Sequence, residues 1–294
     1  MKLSTLLLVL TVIWTIGCSA ANSTIEKVIV NKLDQDIVIK RGEVVKVELP
    51  APDTALDFEL SCNGQNIIYH KKEGLIVGYI SESYFSNMTP YTCEYIFSKE
   101  VLGENNIYKV ANIVVEDRQF QSETLKVDPK TITLSKKNLE RVTKEFEITS
   151  KIYSNSSKQP LFDKPFTMPL SSKITSPFGS QRVYNNEKKS QHLGIDFRAT
   201  SGVPIPASNS GKVVLAQDLF YTGKTVIIDH GLNIFSTYAH MSKLNVKKDD
   251  LVLRKKIIGY SGATGRSTGP HLHWGVKINN NYIDGVSLVK TTSN

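Results

Sequence analysis

Beyond residue 165 the chain is cut into strand-length apolar runs by Gly and Asn turns, and that punctuation restricts it to a sheet-built domain. The runs fall at residues 211–215, 225–228, 234–238, 257–260 and 271–278, with Asp229, His230 and Gly231 forming a hairpin turn between two of them. Short connections of this kind join antiparallel neighbours, so the carboxy-terminal domain is expected to be mostly antiparallel β-sheet.

Upstream, β-branched runs such as 28–30, 37–39 and 107–115 predict a second β-rich domain. Between them and the carboxy-terminal domain, Leu139, Val142, Phe146 and Ile152 recur at helical spacing behind Ser135, a capping residue. One amphipathic helix over about 136–153 follows. Pro160 and Pro165 then mark a boundary. The expected organisation is mainly β: a leader (1–21), an amino-terminal β-rich accessory domain (22–118), a connector with one helix (119–165) and a carboxy-terminal domain (166–294).

Lys2 precedes an apolar run at 6–16, and Gly17, Cys18, Ser19, Ala20 and Ala21 follow it, which reads as a secretion signal and points to the periplasm. Gly17 before Cys18 resembles a bacterial lipobox, which would tether the protein by a lipid on that cysteine. Cleavage after Ala21 would instead release it. No later stretch approaches the roughly 20 apolar residues of a membrane helix, so membrane contact is expected only through Cys18. Cys62 and Cys93 are then an even pair in an oxidising compartment, either bridged or buried as thiols.

The formal charge of +8 is spread along the chain, with a local cluster of Lys247, Lys248, Arg254, Lys255 and Lys256. It fits an anionic partner. Nucleic acid is not expected, because zinc-finger spacing, RNA-binding aromatic motifs and a basic helix at heptad register are all missing.

Five of the six histidines lie beyond residue 165, and four of them fall in three local patterns: His192-Leu193-Gly194-Ile195-Asp196, Tyr238-Ala239-His240 and Gly269-Pro270-His271-Leu272-His273-Trp274. On a strand, His271 and His273 leave the same face about 6–7 Å apart, a spacing that suits one metal ligand and one partner acting on water or substrate. A hydrolytic zinc site takes three protein ligands and leaves a fourth position to water. His192, Asp196 and His273 can supply that set, one ion per chain. His240 and His271 are the candidates for moving the proton and steadying the oxyanion, since no His-Glu-x-x-His helix offers a glutamate base. Gly262, Gly265 and Gly269 form a loop just before His271 that lets backbone approach a ligand closely. His70 and His230 read as structural.

Together these motifs resemble the lysostaphin and LytM family of zinc peptidoglycan endopeptidases, over residues 175–285. Ser176, Pro177, Phe178 and Gly179 are similar to the family's entry to its first motif, and residues 261–273 to its most specific stretch. The resemblance implies His192, Asp196 and His273 as metal ligands and His240 and His271 as the catalytic pair. It also implies peptidoglycan stem peptides and cross-links as substrate and D,D-endopeptidase activity. The same groups could serve a D,D-carboxypeptidase trimming stem peptides. A non-hydrolytic regulator of other wall hydrolases is the alternative of another class, although all five positions are filled here. Asp249 and Lys255 stand where relatives generally carry glycine, which bears on loop geometry. The amino-terminal region resembles, more loosely, accessory domains of cell-shape-determining members in curved and helical Gram-negative bacteria, and implies a latent enzyme whose segment before residue 165 restricts access.

Overall fold

The computed structural model describes residues 36–52, 57–97, 107–125, 134–184 and 188–293; the leader, Cys18 and the run at 28–30 lie outside them. The amino-terminal unit is a sandwich of two sheets. In one, Ile107–Glu116 lies between a parallel neighbour, Asp36–Lys40, and an antiparallel one, Tyr91–Phe97, which in turn pairs with Phe58–Cys62. The other sheet joins Val44–Pro50, Leu75–Ser81 and Tyr69–Lys72. Period-two alternation buries Val47 and Leu49 from one strand against Leu60, Ile76, Tyr95 and Ile113 from its neighbours. Cys62 and Cys93 are direct cross-strand partners with Cα atoms 4.1 Å apart, and they are bridged.

The carboxy-terminal unit is built on an eight-stranded sheet that runs in the order Ile174–Ser176, Ile195–Arg198, His271–Ile278, Ile234–Met241, Gly223–Asp229, Gly211–Leu219 and Leu251–Val252, with Asn281–Ile283 paired to His271–Ile278. Register fixes what each face carries. Ile195, Trp274 and Tyr238 are successive cross-strand partners, all at most 1 % exposed, and they form the core face. One residue along, Asp196, His273 and Ala239 are likewise partners and occupy the opposite face.

The helix runs from Lys136 to Tyr153, with the Ser135 hydroxyl accepting from the Asn138 N–H at 3.3 Å. It packs on the sheet face that carries His273. Tyr153 meets Phe235 edge-on at 5.2 Å and its hydroxyl lies 3.1 Å from the Thr237 hydroxyl. The buried stripe differs from the one periodicity predicts. Val142, Glu145, Thr149, Ile152 and Tyr153 face the sheet, whereas Leu139 and Phe146 are 54 % and 71 % exposed. The physical reason is a polar anchor: the Glu145 carboxylate accepts from the Phe220 N–H at 2.8 Å and rotates the helix about its axis.

The connector is also tied down ahead of the helix, where Ser122–Leu125 pairs in parallel with Gln181–Tyr184. The two units share direct contacts. The Ser81 hydroxyl donates to the Ile278 carbonyl at 2.8 Å, Arg118 pairs with Asp284 at 2.7 Å, and Val44, Tyr79 and Tyr84 join the carboxy-terminal core. Asp249 and Lys255 adopt φ of 74° and 69°, so the loop keeps a geometry that glycine would take without strain. Holding side chains there costs about 1–2 kcal/mol each.

Candidate metal centre and its flanking histidines

Asp196 and His273 come together because they face each other across adjacent strands. His192 reaches them from the loop before Ile195–Arg198. Three atoms converge: His192 Nε2 is 3.0 Å from Asp196 Oδ1 and 3.0 Å from His273 Nδ1, and His273 Nδ1 is 2.9 Å from Asp196 Oδ1. A triangle this small lets one ion touch all three at about 2.0–2.2 Å, the reach of zinc to nitrogen and carboxylate oxygen.

Protonation agrees with that use. Burial by itself would raise the Asp196 carboxyl, but the His192 and His273 imidazoles packed against it outweigh burial and hold it well below the usual carboxylate range. Burial lowers the proton affinity of His273 despite its contact with Asp196. His192 Nδ1 lies 3.3 Å from the Pro177 carbonyl and 3.1 Å from the Ser176 hydroxyl. With its Nδ1–H donated to Pro177, it turns an unprotonated Nε2 inward. An anionic oxygen and ring nitrogens packed about 3.0 Å apart are a donor cluster that could hold a metal ion.

Gly194 makes room for the arrangement. A Cβ at this position would collide with the His273 ring, reaching within 2.6 Å of Nε2. Composition alone gives no hint of that requirement, because the clash is with a residue 79 positions away.

His240 reaches the site through a backbone irregularity. Ala239 already points to the face of His273, so an ordinary strand would turn His240 to the other face. Instead the pairing with Gly223–Asp229 shifts register and His240 adopts φ 60°, a bulge that re-aims its ring. Its ring centroid lies 4.7 Å from that of His271 and 6.0 Å from that of His273. His271 Nε2 is 3.7 Å from Asp196 Oδ1.

Both flanking imidazoles are oriented by the glycine-containing loop. His240 Nδ1 donates to the Thr264 carbonyl at 2.8 Å, and His271 Nδ1 donates to the Gly269 carbonyl at 2.8 Å. Each therefore keeps Nε2 free for chemistry. Burial brings the proton affinity of His240 down to about 4, so it is neutral at physiological pH. Thr264 also latches the loop to the neighbouring hairpin, accepting from the Lys224 N–H at 2.9 Å and donating to the Met241 carbonyl at 2.8 Å. Gly265, at φ 73°, approaches the backbone of Gly223 closely. Gly262 and Gly265 thus serve close packing against Ser242 and Gly223, while the carbonyls of Thr264 and Gly269 position imidazoles.

His230 stays apart from the site. It is fully buried, with Nδ1–H donated to the Ser210 carbonyl at 2.7 Å and Nε2 at 2.7 Å from the Ser236 hydroxyl.

A family model described as Peptidase family M23 matches residues 190–285. Over 109 residues the chain is 42 % identical to the peptidoglycan DD-endopeptidase ShyA of Vibrio cholerae, covering 36 % of this chain and 25 % of that protein. Over 120 residues it is 35 % identical to the DD-carboxypeptidase/endopeptidase Mpg of Neisseria meningitidis, covering 41 % of this chain and 28 % of that one. The matches thus span about a quarter of the length of these relatives. A crystal structure described as a peptidase M23 from Pseudomonas aeruginosa is similar over 88 % of this chain and 97 % of its own, with a TM-score of 0.62 and 25 % identity. That likeness extends beyond the carboxy-terminal sheet into the amino-terminal sandwich.

Proposed function

Because residues 190–285 are a peptidase family M23 domain, we propose that this chain is an exported, zinc-dependent D,D-endopeptidase that hydrolyses peptide cross-links of peptidoglycan. The observation that carries the reading is the triangle of His192 Nε2, Asp196 Oδ1 and His273 Nδ1 with edges of 2.9–3.0 Å, beside two imidazoles that each keep a ring nitrogen free. Two neutral imidazoles and one carboxylate form a donor set suited to zinc.

In this reading His192, Asp196 and His273 hold the ion, which when bound acidifies a water molecule and polarises the scissile carbonyl. His240 and His271 do the proton work. The Nε2 of one accepts the proton of the attacking water, while the other, carrying a proton on Nε2, hydrogen-bonds the tetrahedral oxyanion. The accepted proton then passes to the leaving amine. The carbonyls of Thr264 and Gly269 accept from Nδ1 of both rings and leave each Nε2 facing the site, bare on the ring that acts as base and protonated, as an imidazolium, on the ring that bonds the oxyanion.

Packing of the Lys136–Tyr153 helix on the same sheet face supports a latent form in which the segment before residue 165 restricts access. Loosening that contact with Tyr153→Ala should raise turnover on purified sacculi; equal turnover would remove latency from the account.

The direct test is mass spectrometry of products from defined cross-linked muropeptides. Conversion of dimers to monomers, abolished by a chelator and restored by zinc, is the expected result. Release of terminal D-alanine alone would instead favour a carboxypeptidase, an activity also present in the name of the Neisseria relative. Products that are indifferent to the chelator would defeat the metal assignment.

A further inference from the structure

The far edge of the carboxy-terminal sheet sets two exposed leucines among a cluster of cations. In its edge strand, Leu251–Val252, Val252 is 4 % exposed and faces the core. Alternation then turns Leu251 and Leu253 outward together, 80 % and 76 % exposed, the highest values for large apolar side chains among the described residues. Lys247, Lys248, Lys255 and Lys256 are exposed around them, and Arg254 is partly exposed. Against these five cations stand two carboxylates. One is engaged by Lys212, which pairs with Asp249 at 2.8 Å, and the other, on Asp250, accepts from the Lys247 N–H at 2.9 Å. Lys255 holds its charge on strained backbone, at φ 69°.

We propose that this edge, residues 247–256, is a docking surface for an anionic phospholipid bilayer. A wall polymer would satisfy the cations and leave both leucines in water. A bilayer interface takes both: the leucines enter the acyl boundary while the lysines stay among anionic headgroups. The strand His271–Ile278 lies four strands away, on the order of 19 Å at ordinary strand spacing, so docking leaves the metal centre open. This contact is separate from any lipid on Cys18 and needs no catalytic assignment.

The test uses the full chain with Leu253→Trp as a local reporter, its emission corrected by that of the unsubstituted chain. Vesicles of phosphatidylglycerol should shift the emission to the blue at low salt. High salt should reverse the shift, and phosphatidylcholine vesicles should leave it unmoved. In sedimentation with phosphatidylglycerol vesicles, L251S/L253S and K255Q/K256Q should each lower partitioning about tenfold while zinc content and thermal midpoint stay unchanged. An unmoved emission, an equal shift with both lipids, or partitioning indifferent to the leucines would overturn the proposal. Binding to sacculi but not to vesicles, lost in the same variants, would assign the edge to a wall polymer and overturn it as well.

Discussion

The two halves of the molecule use cross-strand neighbours in opposite ways. In the accessory sandwich, the facing positions Cys62 and Cys93 are closed by a covalent bond and surrounded by apolar side chains. In the carboxy-terminal sheet, the facing positions Asp196 and His273 hold polar atoms 2.9 Å apart beside His192. The first pair constrains the unfolded chain, whereas the second concentrates lone pairs and negative charge in a partly buried place. The same pleated geometry therefore serves as a staple in one unit and gathers a candidate set of metal donors in the other.

The comparison breaks most readily at the charged pair. Asp196→Ala should remove zinc and lower muropeptide hydrolysis by roughly a thousandfold or more, since ligand and activity are lost together. Zinc content measured alongside rate checks this, and a variant that keeps its zinc would separate the carboxylate from the site. His271→Ala should keep its metal yet lose about 10²- to 10⁴-fold in turnover, the usual worth of a positioned acid or base. Full turnover in that variant would move the proton chemistry elsewhere.

The staple predicts a different pattern. Replacing Cys62 and Cys93 by serine should lower stability by about 3–4 kcal/mol on the chain-entropy account for a separation of 31 residues, with zinc stoichiometry unchanged. Denaturant midpoints of both forms give the difference. Lost zinc binding in the reduced protein would show that the halves are less independent than their chemistry suggests.

His230 sharpens the contrast, because it is an imidazole in the carboxy-terminal half that acts as a core residue. Burial lowers its proton affinity to about 4, against about 6.5 in an unfolded chain. The folded state therefore binds the proton less readily than the unfolded one. The stability it contributes is complete above pH 6.5 and declines as pH falls from 6.5 toward 4, by about 3 kcal/mol. Denaturant titrations across that window should show the decline in the native protein and a flatter profile in His230→Gln. The smallest expected effect comes from Gly194→Ala, where displacement of the His273 ring should weaken zinc about 10- to 100-fold while the fold persists.

Much of this organisation is legible in the sequence because it depends on local rules. Turn residues set the strand runs, and Ser135 with the periodicity behind it places the helix start and end at Lys136 and Tyr153. The parity of a strand puts His271 and His273 on one face. What could not be read depends on contacts between distant residues. The register shift that re-aims His240 arises between two strands and leaves no mark in Tyr238-Ala239-His240 itself. The carbonyls of Thr264 and Gly269 belong to backbone, which residue identity does not advertise. Periodicity in the helix names an apolar stripe containing Leu139 and Phe146, but the Glu145 bond to Phe220 selects the side that packs.

The most direct measurement is anomalous diffraction at the zinc absorption edge from crystals of the zinc-loaded protein. The account predicts one peak per chain, about 2.0–2.2 Å from His192 Nε2, an Asp196 carboxylate oxygen and His273 Nδ1, with His240 and His271 unligated beside it. A peak bound to His240 or His271 in place of one of those three, or three side chains that point apart with no peak between them, would contradict it.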